Sequence, residues 1–105
     1  MKIQILGHEY KVCLDEDTIL EQGVDYGLID FDACTIYIDP RIKKSFKQET
    51  LLHEILEALN YHLALGLKRD AQLVPLSESL YKVLSENHIH MFGKIIKPVK
   101  HTISE

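Results

Sequence analysis

The run His53-Glu54-Ile55-Leu56-Glu57 gathers three side chains able to do chemistry into one short segment. If the segment is helical, residues four apart lie about 40° apart around the axis. His53 and Glu57 then face one way and could hold one ion between them. Glu54 lies about 100° round from His53 and could reach a water on that ion as a general base. The pattern is H-E-x-x-H with its second histidine exchanged for glutamate. A carboxylate oxygen can bind zinc. It is harder than imidazole and brings a negative charge, so a bound water becomes less acidic and manganese or another oxygen-tolerant ion can compete. Asn60, one turn further on, shares the stripe. With six His and nine Glu in the chain, chance placement gives roughly 0.04 matches to H-E-x-x-E. The plainer alternative is that His53 edges a helix whose glutamates meet water, and the motif alone leaves both open.

Other reactive side chains carry less. His62 is about 180° from His53 around such a helix and is no co-ligand. His88 and His90 alternate and could bind a metal from a strand, but a surface pair is the simpler reading. His8 sits in a tight turn. Tyr81 lies among apolar residues and reads as core. Cys13 and Cys34 form no C-x-x-C pair and read as buried reduced thiols.

The elements that must position the motif follow from periodicity. Ile3 and Ile5, then Tyr10, Val12 and Leu14, alternate on either side of Gly7-His8, which predicts a β-hairpin. Thr18 to Gly23 predicts a short helical turn with Asp17 as N-cap and Gly23 as stop. Ile29 and Phe31, then Ile36 and Ile38, predict two strands joined by a turn near Asp32-Ala33-Cys34, the second ended by Pro40. Ser45-Phe46-Lys47-Gln48 fits a capping box and predicts a helix from Phe46. Its apolar stripe is Leu51, Leu52, Ile55, Leu56, Leu59 and Leu63, and Gly66 stops it. A second helix is expected from Asp70 to Asn87, its apolar face formed by Leu76, Leu80, Val83 and Leu84. Pro75 either kinks it or sits in its first turn.

At 105 residues, 46% hydrophobic and 27% charged, the chain is one domain's worth, residues 1–105, with material for one core. The fold class expected is α+β, a small mostly antiparallel sheet packed on two main helices. A net charge of -4 argues against nucleic acid as partner. The basic residues Lys94, Lys97, Lys100 and His101 read as a solvated tail. No basic start with an apolar run suggests a secretory signal, and no stretch approaches the roughly 20 apolar residues of a membrane span. The expectation is a cytoplasmic protein without a membrane anchor.

The segments Gly27-Leu28-Ile29-Asp30, Thr35-Ile36-Tyr37-Ile38-Asp39-Pro40 and Thr50-Leu51-Leu52-His53-Glu54-Ile55 resemble the small zincin-like metallopeptidases of bacteriophages and mobile elements, relatives of the ImmA/IrrE-like proteins. Leu80-Tyr81-Lys82-Val83-Leu84-Ser85-Glu86-Asn87 is similar to the end of their second core helix. The resemblance covers about residues 26–87, with 88–105 as a tail. It implies a minimal zincin core and a peptidase-type, metal-dependent hydrolase acting on a peptide or protein. It makes His53 the first ligand of a divalent metal, zinc first among them, and Glu54 the general base. It puts Glu57 in the place of the second ligand histidine. The third ligand is often an acid one to two turns before the Leu-Tyr pair. Here that stretch holds Gln72, Leu73, Val74 and Pro75, with Glu78 as the nearest acid and a C-terminal His as the other candidate. The alternative is a catalytically inactive zincin-fold binding or regulatory module of a phage or mobile element. A third ligand with free reach favours the enzyme, and a dry apolar groove above His53 favours the module.

Overall fold

The structure, a computed structural model, describes residues 1–89. Strands β1 (Lys2–Ile5) and β2 (His8–Leu14) form the expected hairpin, turning at Leu6-Gly7 with both residues at positive φ. A short helix α1 (Glu16–Gln22) precedes β3 (Gly27–Asp30) and β4 (Thr35–Ile38). The long helix α2 (Lys44–Leu63) carries the motif. A π-helical turn at Arg69–Leu73 leads into α3 (Val74–Glu86). The fold is α+β. The sheet order is β1-β2-β4-β3, antiparallel except where β2 runs parallel to β4. The N-terminal hairpin thus belongs to the same sheet as the segment that carries the resemblance.

One apolar layer lies between sheet and α2. Ile5, Tyr10, Val12, Ile36 and Ile38 come from the strands, and Leu51 and Ala58 from the helix. The two helical residues are seven apart, two turns on one face. Ile55 and Leu59 pack against this core, while Leu56 is half-buried and Leu63 is exposed. On the far side of α2 from His53, His62 accepts or donates at 2.7 Å to the fully buried Tyr10 hydroxyl and stacks on His8. Its role there is to fix the helix to the hairpin.

Several helix ends differ from expectation. The N-cap of α1 is Asp15, not Asp17: Asp15 accepts from the Thr18 amide at 3.2 Å and the Thr18 hydroxyl at 3.0 Å. The Asp15 amide still donates to Ile38 as the last bond of the sheet, so the chain must turn there, and Glu16 and Asp17 fall in the first turn, where a helix favours acids. The Ser45 capping box does not form. Helix α2 starts at Lys44 with Lys43 as N-cap and no side-chain bond to it. The reason lies just upstream: buried Asp39 accepts from the Arg41 amide and from two of its guanidinium nitrogens, all at 2.9 Å, fixing the turn after Pro40 and with it the helix start.

Helix α2 ends at Leu63, with Ala64 at φ 51°, two residues ahead of the expected Gly66. Asn60 then clasps the next loop by bonding both the amide and the carbonyl of Leu67. It is a structural side chain and takes no part in the His53 stripe. The expected helix from Asp70 is split into the π turn and α3, with Pro75 in the first turn of α3. The inward face of this segment is Leu73 and Ser77, then Leu80, Tyr81 and Leu84, while Leu76 and Val83 point outward. Tyr81 is half-buried and donates to Gln48 on α2 at 2.9 Å. Cys13 and Cys34 are free thiols and only half-buried. His88 is exposed at φ 58°. His90 and the basic tail lie outside the described residues.

Candidate functional site

Helix α2 approaches edge strand β3 at Gly27. A Cβ on Gly27 would stand 2.5 Å from Thr50 Cγ2 and 3.1 Å from Glu54 Oε2. The absence of a side chain is what lets the helix lie so close. Beside this contact opens a cavity of about 270 Å³, walled by α2, α3, the π turn and the segment before β3. His53, Glu54 and Glu78 line it, and so do Asp25, Glu49 and Asp70. The rings of Tyr26 and Phe46, 4.5 Å apart, form an aromatic wall. Glu57 is outside the lining and touches the site through His53 and Arg69.

The two imidazole nitrogens of His53 have different partners. Nδ1 is 3.2 Å from Ser77 Oγ, and that hydroxyl donates to the Val74 carbonyl at 2.9 Å. The hydroxyl proton being spent there, Nδ1 must be the donor to Ser77. Nε2 is 3.1 Å from Glu57 Oε2. Arg69 Nε, at the start of the π turn, stands 3.3 Å from that same carboxylate oxygen. Glu57 is therefore held between an imidazole and a guanidinium. Its hydrogen bond from His53 holds its carboxyl below the usual range, and the same bond raises the His53 imidazole.

Glu54 differs sharply. Its side chain is 4% exposed and, among the described residues, has no hydrogen-bond partner. Burial pushes its carboxyl up to about 7, against the pull of the His53 charge. Glu49 is also raised, by burial first and then by the charge of Glu78. Glu78 is exposed on α3 and shares the cavity with His53 without joining it.

A divalent ion can be tested against this donor set. His53 Nε2 and Glu57 Oε2 converge, and the Nδ1 contact to Ser77 is of the kind that orients a metal-binding histidine. Among the described residues no third donor arrives. Among the described residues no three His, Cys, Asp or Glu side chains meet at one point that could hold an ion. Where the resemblance puts an acidic ligand, Val74 forms part of the cavity wall. The Arg69 guanidinium already neutralises Glu57. The set fits an ion pair better than an ion cage. Nor is the groove above His53 dry and apolar: acids and two aromatic rings line it.

Of the residues the sequence points to, His53, Glu54 and Glu78 line the cavity and Glu57 does not, while Glu49, Arg69, Ser77 and Gly27 line it without being singled out as site residues. Glu49 was open to discovery, since it lies one helical turn before His53 on the same stripe. Arg69 carried no signal, because only the π turn brings it back to α2. No family model, curated protein or solved structure matches the chain.

Proposed function

We propose that this chain is a zincin-like domain of a phage or mobile element that works as a binding or regulatory module, its cleft kept as a docking site for a peptide or protein segment. The observation that carries this reading is the contact of Arg69 with Glu57. The oxygen that would complete a two-ligand clasp with His53 already faces a permanent cation at 3.3 Å. Val74 in the cavity wall supports it, since an apolar side chain there cannot donate to an ion. The module acts in the cytoplasm, and its acidic cleft suits a protein segment rather than a nucleic acid. Among the described residues no helix is long and apolar enough to cross a membrane.

The test is metal content and zinc affinity of protein purified without a nickel tag. The reading expects far less than one ion per chain and no saturable zinc binding at micromolar concentration. One tightly held ion per chain overturns it.

One observation favours a second reading, a metal-dependent peptidase of weakened type. A buried glutamate whose carboxyl is raised to about 7 is suited to take a proton from water near neutral pH. In that reading Glu54 is the base, and His53 and Glu57, with Glu78, supply the ion's ligands. Arg69 would have to leave Glu57; its side chain is 63% exposed, so the contact costs about 1 kcal/mol or less to break. Peptide cleavage that requires added zinc and vanishes in Glu54→Gln would establish it.

A further inference from the structure

We infer that the cleft is a receptor for one basic side chain, whose cation docks against Glu54 while Glu49 and Glu78 flank it. The inference rests on the module reading and names the chemistry of the segment that module would bind.

Charge is the first ground. Asp25, Glu49, Glu54, Asp70 and Glu78 line the cavity. None of the five is in an ion pair among the described residues. The two basic groups in the lining, His53 and Arg69, are both turned to Glu57 outside it. Five acids thus outnumber two basic groups in the lining, and both basic groups are paired with Glu57.

An acidic surface alone would be a solvated face. Glu54 makes the difference, because it is 4% exposed and lacks any hydrogen-bond partner among the described residues while bordering the cavity. A buried carboxyl without a donor is costly, and a charged donor entering the cavity would relieve that cost. Gly27 is part of the same construction: any larger residue there would crowd Glu54 Oε2.

Size and wall chemistry narrow the ligand. A cavity of about 270 Å³ is at the small end for ligand sites and takes one long side chain rather than a folded segment. Tyr26 and Phe46 form its aromatic wall. Lysine and arginine combine an apolar stem with a charged head. The stem would lie along the rings, which also attract cations, and the head would reach the carboxylates. A bare divalent ion lacks the stem and finds no three converging ligands among the described residues.

The test uses the whole chain, labelled with nitrogen-15 and freed of metal with EDTA. Nα-acetyl-lysine amide is titrated in, with the norleucine analogue as the uncharged control and the arginine analogue to separate ammonium from guanidinium. Saturable amide shifts at Gly27, Thr50, Glu54 and Ser77 with either basic probe are expected. Affinity for norleucine should be weaker by about tenfold or more. Glu78→Gln, an exposed change that should leave folding intact, should weaken the basic probe about threefold, and Glu54→Gln more than that. Equal response to norleucine, or no saturable shift at the cleft with either basic probe, overturns the inference. A parallel zinc titration separates this from the module reading. Tight zinc with lysine still bound sinks the module and leaves the cation receptor. No tight zinc and no lysine binding sinks the receptor and leaves the module.

Discussion

Glu54 of α2 lies so close to Gly27 of β3 that a Cβ on the glycine would stand 3.1 Å from Glu54 Oε2. The tighter obstacle is Thr50 Cγ2 at 2.5 Å. Gly27→Ala should destabilise the domain by about 1–3 kcal/mol through overpacking. Thr50→Ser removes the offending methyl, so the double variant should recover much of that loss. Urea midpoints of the four proteins form the cycle. Strictly additive effects would mean that the two residues do not meet.

Stability should fall as pH rises from about 4.5 through 7. The Glu54 carboxyl is raised from 4.5 to about 7 on folding, so the folded state holds that proton more tightly. The stabilisation is full below 4.5 and lost as pH rises through 7, amounting to about 3 kcal/mol. His53, raised by its bond to Glu57, acts in the same direction above its ordinary 6.5. Glu57 and Asp39 are lowered and act oppositely: their contribution is present above the ordinary carboxylate range and lost as pH falls through their lowered values. Maximum stability therefore lies on the mildly acidic side. Glu54→Gln should flatten the decline between about pH 4.5 and 7 and exceed the wild type near pH 8. Parallel pH profiles for the two proteins would show that Glu54 is not the source.

The strands were legible because alternation in a half-buried sheet is a two-residue signal, and Ile36 and Ile38 obey it with 0% exposure. Helix α2 was legible because Leu51 and Leu52 begin a long apolar period. Its start was not, since a Ser-x-x-Gln box is a local signal, and the turn fixed by Asp39 and Arg41 decided the matter first. Helix α3 misled in a different way. Leu76 and Val83 are apolar yet exposed, and the place facing α2 goes to Ser77, which a hydrophobic count passes over. Within the site, His53 and Glu54 stood out as neighbours in sequence. Arg69 and Ser77 did not, because their link to His53 and Glu57 spans separate elements and depends on a π turn that no simple period encodes.

The bond between Tyr10 and His62 should be structural. Tyr10 is fully buried and its hydroxyl meets His62 at 2.7 Å. Tyr10→Phe keeps the ring and leaves the His62 nitrogen without that partner, a loss of about 1–2 kcal/mol. Ligand binding at the cleft, on the other side of α2, should be unchanged. A chemical denaturation curve and the lysine-probe titration, run on the same variant, check both halves. A shift in probe affinity without a shift in midpoint would contradict this assignment.

The last prediction concerns rebuilding an ion site. Glu57→His restores the paired histidines four residues apart on α2 and removes the carboxylate that Arg69 grips. With its anion gone, the Arg69 side chain, 63% exposed, is free to turn to solvent. Zinc affinity should rise by about tenfold. The gain should stay limited, because no third ligand joins the two imidazoles among the described residues. Val74 lines the cavity one turn before Ser77, whose hydroxyl touches His53. Adding Val74→Glu supplies a carboxylate from that wall, and the double variant should bind zinc at least about a hundredfold more tightly than the wild type. Isothermal titration on the wild type and both variants decides the point. Weaker binding by Glu57→His than by the wild type would make Glu57 a true ligand and favour the peptidase reading. A double variant that folds yet binds no zinc would show that α2 and α3 do not set these positions around one point.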